Sequence, residues 1–315
     1  MQAYRTDSKV CRMSVSEINR AAAEDPLRFV LRGERSYRRD IENTACRIAS
    51  EHRCRLVMLA GPSSSGKTTT ARLLAEALRR AGTGSVDISL DNFFRGGNAA
   101  PLLPDGSRDY EALEAMDIED VRRCLRGLVE DGRCRMPVYD FKRHVPEPFR
   151  REVRLKKNEV AIVEGIHALD PALTEGLPDF EAHRVYVSVG HSVTDRGKIL
   201  FSPVDIRFLR RMVRDHQFRR TPPEQTLSMW DNVMAGEYKY IQPFRAEADT
   251  ELDSFHAYEL CVLRDPSLTL LHTVPARTPR RAYAERLEEG LGRVHSMDCR
   301  LVPGDSIIRE FIGGG

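Results

Sequence analysis

Residues 61–68 read Gly-Pro-Ser-Ser-Ser-Gly-Lys-Thr, which matches the phosphate-loop pattern GxxxxGK[ST]. The apolar run RLVMLA precedes this loop at 55–60, and ARLLAEALRRAG follows it at 71–82. The first run predicts a buried strand, and the second predicts a helix that stops at Gly82. A strand, a glycine-rich turn and a helix in this order are the context in which the pattern binds phosphate. The alternative, a chance glycine-serine turn, does not account for both flanks.

The residue types in the loop suit a nucleoside triphosphate bound with a divalent cation. Glycines let backbone N–H groups converge on phosphate oxygens, and the helix N-terminus adds partial positive charge. We expect Lys67 to neutralise the β- and γ-phosphates and Thr68 to offer its hydroxyl to Mg²⁺. The loop residues predicted to bind ATP are Gly61, Ser63, Ser64, Ser65, Gly66, Lys67, Thr68 and Thr69.

Three further apolar runs predict strands, SVDISL at 85–90, EVAIV at 159–163 and RVYVSV at 184–189. Their alternation with helical segments predicts an α/β protein of the P-loop NTPase fold, with a parallel sheet flanked by helices. Ligands of such sheets bind beyond the carboxyl ends of the strands. The sequence places two carboxylates there, Asp91 and Glu164.

Each of these carboxylates has two interpretations, a catalytic or metal-binding role and a purely structural role. Asp91 is the candidate general base that takes a proton from an acceptor hydroxyl, although an Asx turn or a helix cap at this position is the alternative. Glu164 is a candidate to hold Mg²⁺ through water or to order the attacking hydroxyl, whereas the alternative is a solvated residue at a strand end. Together with the loop, and without an NKxD or LSGGQ run, they favour a kinase over a GTPase or a transport ATPase.

An arginine-rich stretch, PVDIRFLRRMVRDHQFRR at 203–220, predicts an amphipathic helix within a lid at about 203–225. We expect some of its arginines to stabilise charge on the transferred phosphoryl group, and the alternative is a solvated face paired with Asp205 and Asp215. The candidates are Arg207, Arg210, Arg211, Arg214, Arg219 and Arg220. Arg214 and Arg219 are the leading catalytic candidates. We expect Arg211 and Arg214 to bind ATP, and Arg211 and Arg219 to bind the acceptor.

The composition narrows the class of protein. Lys and Arg nearly balance Asp and Glu for a net charge of +2, so the chain lacks the basic field of a nucleic-acid binder. Its 315 residues, 41% of them hydrophobic, suffice for a large α/β core. Seven scattered cysteines without a CxxC pair indicate reduced thiols, and no run approaches the roughly 18 apolar residues of a membrane span. We expect a cytoplasmic protein without nucleic-acid or membrane partners.

The pattern divides the chain into three consecutive parts. Residues 1–52 are predicted as an N-terminal helical extension, capped at Ser14 or Ser16, in which apolar residues recur at helical spacing. Residues 53–275 form the predicted kinase core, and 276–315 a C-terminal helix and tail. Within the core, YELCVL at 258–263 predicts a late strand.

Five stretches, taken in order, resemble the uridine kinase family, within the uridine kinase and phosphoribulokinase group. They are GPSSSGKTTT, SLDNFFR, PVYDFKRH, IVEGIHAL and IRFLRRMVRD, and the resemblance is greatest to a bacterial uridine-kinase-like branch. It implies an ATP- and Mg²⁺-dependent kinase with a nucleoside acceptor and a possible homo-oligomer. It also implies that Asp91 is the base for the ribose 5′-hydroxyl and Glu164 the Walker-type carboxylate.

The resemblance also implies the residues that bind the acceptor. Tyr110 and Glu111 correspond to the aromatic-acid pair that grips the ribose, with Glu where Asp is usual. The segment that lines the base pocket implies contacts from Tyr139, Phe141 and His144. Two further positions depart from the family, because Thr221 replaces a lid arginine and Met229 replaces a glutamine, which leaves the base preference open.

The favoured function is therefore transfer of the ATP γ-phosphoryl group to the 5′-hydroxyl of a pyrimidine nucleoside, uridine or cytidine. One alternative is a P-loop kinase of another small hydroxyl compound, such as a sugar phosphate. A second alternative is a nucleotide-binding regulatory protein with little transfer activity, which the altered positions Glu111, Thr221 and Met229 suggest.

Overall fold

The computed structural model describes residues 10–96, 99–102, 106, 108–140, 143–178 and 181–314. The chain divides into two compact units. The core unit comprises Ser36–Ser188 and Met229–Leu252, and the helical unit comprises Met1–Arg35, Val189–Ser228 and Asp253–Gly315. These units cut across the boundaries at 52 and 275, so the predicted three-part division stays a prediction.

The described residues include ten strands and nine α-helices. The strands are β1 (Cys11–Ser14), β2 (Leu56–Ala60), β3 (Gly84–Ser89), β4 (Arg133–Asp140), β5 (Val145–Arg154), β6 (Glu159–Glu164), β7 (Ala182–Ser188), β8 (His191–Asp195), β9 (Lys198–Phe201) and β10 (Thr250–Asp253). The helices are α1 (Val15–Glu24), α2 (Pro26–Ser50), α3 (Lys67–Arg80), α4 (Ile118–Glu130), α5 (Pro203–Arg219), α6 (Pro223–Tyr240), α7 (Glu259–Leu271), α8 (Arg281–Leu291) and α9 (Arg309–Ile312). Over the described part of the chain, none of these helices is both long and apolar enough to cross a bilayer.

The core unit contains a five-stranded sheet with strand order β10-β7-β2-β6-β3. The pairs β2–β7, β2–β6 and β3–β6 are parallel. Every residue of the central strand β2 is buried, as expected for a parallel strand covered on both faces. Alternate residues of β2, including Met58, pack with Leu125 of α4 and Met136 of β4 in one apolar cluster. The predicted α/β fold with a helix-flanked parallel sheet is confirmed.

The helices predicted at the N-terminus are present, and their caps explain where they begin. Ser14 caps α1 through a reciprocal pair of bonds: its hydroxyl accepts from the backbone N–H of Ser16 at 3.2 Å, and its own N–H donates to Glu17 at 3.1 Å. Helix α2 starts at Pro26, which lacks an N–H to leave unpaired, and Asp25 accepts from the N–H of Arg28 at 2.9 Å.

The predicted strand at 258–263 is wrong, because residues 259–263 lie in helix α7 and Tyr258 is the N-cap of that helix. Leu260, Cys261 and Leu263 are all fully buried, and a short apolar run buried on every side carries no periodicity that separates strand from helix. The start of the helix is instead marked by Glu259, whose carboxylate accepts from the backbone N–H of His256 at 3.0 Å.

Arg210 of α5 joins this helix to α7 within the helical unit. Its guanidinium donates to both carboxylate oxygens of Glu259, at 2.6 and 2.9 Å, and to the hydroxyl of Ser254 at 3.1 Å. It also lies 4.9 Å from the ring centre of Phe311. Arg210 and Glu259 are both fully buried, and a buried charge needs such complete pairing. The predicted lid role is therefore wrong for Arg210.

Candidate active site

The phosphate loop lies between β2 and α3, and its glycines are required by the backbone. A Cβ atom on Gly61 would lie 2.0 Å from the carbonyl oxygen of Val187 in β7, so no side chain fits there. Gly66 caps α3 with φ of 90°, in the left-handed region that favours glycine. The loop therefore turns directly from the central strand into the helix N-terminus, as the sequence predicts.

Three hydrogen bonds hold the loop in shape from within the core unit. The ammonium group of Lys67 donates to the carbonyl of Pro62 at 3.2 Å, which closes the loop on itself. The hydroxyl of Thr70 donates to the carbonyl of Gly66 at 2.7 Å, and it also bonds the hydroxyl of Tyr37 at 2.6 Å. Tyr37 is buried on α2, so this helix supports the base of the loop.

The carboxyl ends of three neighbouring strands meet at Glu164. Leu59 of β2 and Ser89 of β3 are both register partners of Glu164, one on each side of β6. The hydroxyl of Ser89 donates to the Glu164 carboxylate at 3.3 Å. Glu164 therefore ends the strand next to β2, the strand that enters the phosphate loop. It lies at the carboxyl end of a strand, where the sequence places it.

Asp91 follows β3 in a short 3₁₀ turn (Leu90–Phe93) and is exposed. Its neighbour Asn92 donates a hydrogen bond from its side-chain amide to the carbonyl of Ser89 at 3.4 Å. The side-chain oxygen of Asn92 accepts from the backbone N–H of Tyr139 at 3.2 Å. The turn that presents Asp91 is thereby bonded to β4.

A small pocket lies beside this turn and is lined by two of the predicted acceptor-binding residues, Tyr110 and Tyr139. Phe94 also lines it, with its ring centre 5.9 Å from that of Tyr139 and the planes tilted by 57°. Tyr139 is buried, and burial raises the pKa of its hydroxyl. Tyr110 is 54% exposed. Flat aromatic faces of this kind suit stacking on a planar base.

His144 follows β4, in the turn that precedes β5, and is exposed. Its backbone has φ of 56°, and its carbonyl oxygen would lie 2.8 Å from a Cβ atom on Gly96, which also lines the pocket. The backbone of His144 therefore reaches the pocket wall. Phe141, the third residue predicted at the base, lies outside the described residues.

The turn at 109–111 is held by helix α6 and by its own hydrogen bonds. The carboxylate of Asp109 accepts from the backbone N–H of Glu111 at 3.1 Å and from the hydroxyl of Tyr240 at 3.0 Å. The ring of His167 lies edge-on to Tyr240, with 6.0 Å between ring centres. Burial lowers the pKa of His167 to about 4, so this histidine is neutral at physiological pH.

The lid arginines belong to the helical unit and share one carboxylate. Arg211, Arg214 and Arg219 all pair with Asp215, at 3.2, 2.9 and 3.5 Å. Asp215 is buried, whereas the side chain of Arg219 is 59% exposed. The pairing with Asp215 that sequence reasoning kept as an alternative is thus present, and the role of these arginines at the triphosphate stays a prediction.

The residues predicted to bind Mg²⁺ have suitable donor chemistry. Thr68 is exposed in the first turn of α3, and Glu164 is partly buried at the end of β6. A hydroxyl and a carboxylate are hard oxygen ligands, which Mg²⁺ takes together with phosphate oxygens and water. Over the residues that the structure describes, no three His, Cys, Asp or Glu side chains converge as a metal-binding group.

Sequence reasoning missed several residues of the site. Phe94 is the second phenylalanine of SLDNFFR, so its place in that motif could have identified it. Tyr37 precedes Ile41 by one helical turn, so the apolar spacing of the helix could have placed it in the core. Asp109 and Tyr240 are 131 positions apart, so no local pattern joins them.

Comparison with known proteins identifies a family for the chain. The model of the phosphoribulokinase/uridine kinase family matches residues 56–260, which is more than half of the chain. The uridine kinase of Shewanella amazonensis is 28% identical over 204 residues, which cover 64% of this chain and 87% of the relative. The uridine kinase of Halobacterium salinarum is 28% identical over 192 residues, which cover 61% of this chain and 76% of the relative.

Among solved structures, a candidate fructose transport system kinase from Silicibacter sp. TM1040 has a TM-score of 0.51 and 22% identity. The match covers 67% of this chain and 98% of that chain, and it shows the shared fold. The predicted resemblance and the predicted enzyme class are both confirmed. The chain belongs to the phosphoribulokinase/uridine kinase family and is an ATP-dependent kinase.

Proposed function

We propose that the protein transfers the γ-phosphoryl group of ATP to the 5′-hydroxyl of a pyrimidine nucleoside, with uridine or cytidine as the favoured acceptor. The observation that carries the proposal is a continuous series of contacts in the core unit. It runs from β2, which enters the phosphate loop, through Glu164 and Ser89 to the Asp91 turn, and from Asn92 to Tyr139 in the aromatic pocket. In this proposal the donor elements lie at the carboxyl ends of β2, β6 and β3 in the five-stranded sheet, and Asn92 links them to Tyr139 in the separate two-stranded sheet β4–β5.

In this proposal the phosphate loop binds the donor, ATP. The loop N–H groups and the N-terminus of α3 hold the phosphates, and Lys67 balances charge that develops on the transferred group. The remaining ATP ligands in this proposal are the hydroxyls of Ser63, Thr68 and Thr69, with Ser64 and Ser65 in the turn of the loop. Mg²⁺, held by Thr68 and by Glu164 directly or through water, would neutralise charge on the β- and γ-phosphates.

Asp91 is the proposed general base that acts on the acceptor. Its carboxylate accepts the proton of the 5′-hydroxyl as the oxygen of that hydroxyl bonds to the γ-phosphorus. The bond between the γ-phosphorus and the β,γ-bridging oxygen breaks, and ADP leaves. The exposed position of Asp91 at the carboxyl end of β3 supports this role, because the side chain is accessible to a bound hydroxyl compound.

The acceptor would lie against the residues that line the small pocket beside that turn, which is itself too small to enclose a nucleoside. Tyr139 offers a ring face to the base and His144 a ring nitrogen, while Tyr110 and Glu111 bind the sugar hydroxyls. In the proposal Arg211, Arg214 and Arg219 exchange part of their pairing with Asp215 for the triphosphate. We also propose a cytoplasmic location, which the seven free cysteines support.

The test is ADP release from Mg-ATP against a panel of nucleosides, pentose phosphates and simple alcohols, with identification of the phosphorylated product. We expect uridine or cytidine to stimulate ADP release and to appear as the 5′-monophosphate. Turnover with a pentose phosphate alone would identify a different acceptor and refute the nucleoside assignment. ATP binding without stimulation by any acceptor would support the regulatory alternative.

A further inference from the structure

Gly236 lies in the interior of helix α6, where a glycine weakens the helix relative to alanine. The reason for a glycine lies outside the helix. A Cβ atom at this position would lie 2.6 Å from Cβ and 2.9 Å from Cγ of Glu111. Distances below 3.0 Å require one of the two to shift. The stem of Glu111 therefore occupies the volume that a side chain at 236 would fill.

A second contact holds the same turn one helical turn further along α6. Tyr240 follows Gly236 by four positions, so both face the same side of the helix. Its hydroxyl donates to Asp109 at 3.0 Å, and Asp109 in turn accepts from the N–H of Glu111. The 109–111 turn is thus seated on α6 at two points, a hydrogen bond at Tyr240 and a close apolar approach at Gly236.

We propose that Gly236 is a positioning residue for acceptor binding, which acts by letting Glu111 seat against α6. This inference rests on the proposed function, in which Tyr110 and Glu111 bind the sugar of the acceptor. A methyl group at 236 would push Glu111, and the adjoining Tyr110 of the pocket wall, away from the helix. Gly236 thereby sets how the acceptor fits, without touching it.

The test is the variant Gly236→Ala, assayed for the KM of acceptor and of Mg-ATP. We expect the acceptor KM to rise by about ten- to a hundredfold, because a displacement near 1 Å has effects of that size. The KM for Mg-ATP should stay within about twofold, and the unfolding midpoint should stay near that of the wild type, because alanine is the better helix former. The matched control is Ala235→Gly at the exposed neighbouring position, which weakens the helix and should leave the acceptor KM unchanged.

A double-mutant cycle tests whether Gly236 acts through Glu111. Glu111→Gly removes the atoms that approach residue 236, so adding Gly236→Ala to it should raise the acceptor KM no further. Independent, multiplying effects would overturn the inference, as would a Gly236→Ala acceptor KM within about twofold of the wild type. Wild-type turnover is measured first: its absence with every acceptor would overturn the proposed function and this inference with it. Wild-type turnover with an unchanged variant would overturn the inference alone.

Discussion

The backbone N–H of Tyr139 donates a hydrogen bond to Oδ1 of Asn92, with 3.2 Å between the two atoms. This bond joins the turn that presents Asp91 to the strand that supplies the aromatic pocket. A short polar side chain that bonds backbone groups is well suited to fix such a turn. Asn92 is therefore one of the residues that hold the proposed base beside the acceptor pocket.

Asn92→Ala should loosen this connection. We expect a higher acceptor KM with an unchanged KM for Mg-ATP, and a loss of about 1 kcal/mol in the free energy of unfolding from the missing hydrogen bonds. Steady-state kinetics and urea unfolding measure the two effects. Asn158→Ala, an exposed asparagine on the loop before β6, is the control. An unchanged acceptor KM would mean that the turn is held by other contacts.

Gly61→Ala should disrupt the phosphate loop itself. The added Cβ would meet the carbonyl oxygen of Val187 at 2.0 Å, and backbone cannot rotate away as a flexible side chain can. We expect a loss of at least about 3 kcal/mol in the free energy of unfolding, together with loss of ATP binding. Gly304→Ala, at a glycine with nothing near its Cβ position, should match the wild type in both. Wild-type stability for Gly61→Ala would contradict the loop geometry.

Tyr37→Phe removes the hydroxyl that bonds Thr70 at 2.6 Å below the loop. The buried ring is kept, and the change removes the hydrogen bond to Thr70, worth about 1 kcal/mol in a buried setting. We expect weaker binding of ATP and of ADP, measured by titration calorimetry, and an unchanged acceptor KM. Thr70→Ser keeps a hydroxyl and should bind ATP as the wild type does. If Tyr37→Phe binds ATP and ADP as tightly as the wild type, the hydrogen bond from α2 does not contribute to nucleotide binding by the loop.

The buried His167 should make stability depend on pH. Burial lowers its pKa from 6.5 to about 4 in the folded protein, so the unfolded chain binds the proton more readily between these values. Its contribution is fully present above about pH 6.5 and is lost as the pH falls toward about 4, by up to about 3 kcal/mol. Urea unfolding at a series of pH values measures this loss.

His167→Gln should flatten the fall in unfolding free energy between these two pH values, because the titrating ring is gone. His272→Gln, at an exposed histidine of the helical unit, is the control for a histidine-to-glutamine change away from the core unit. Parallel curves for wild type and His167→Gln would show that other groups account for the acid sensitivity.

The elements that sequence reasoning predicted correctly are those with a local signal. The phosphate loop has a fixed spacing, and β2, β3, β6 and β7 are apolar runs that end in turns or polar residues. Helix α7 was missed because its buried apolar run resembles a strand. The spacing of apolar residues predicts whether a segment is a helix or a strand only when one face is exposed. A segment that is buried on all sides has no such spacing, so the prediction fails there.

Residues whose role depends on distant partners were beyond sequence reasoning. Arg210 looks like its neighbouring arginines, and only the position of Glu259, 49 residues later, explains its burial. Gly236 looks like an ordinary helix-weakening glycine until Glu111 is placed beside it. Such pairs arise from tertiary packing, which a single sequence does not display.

Asp91→Asn tests the central claim most directly, through the rate of acceptor-dependent ADP release and the affinity for ATP measured on the same preparation. Asparagine keeps the size of the side chain and removes its ability to take the proton. We expect kcat with uridine or cytidine to fall by about a hundred- to ten-thousandfold while ATP affinity stays near that of the wild type. A variant that turns over at the wild-type rate would contradict the assignment of Asp91 as the base at this site.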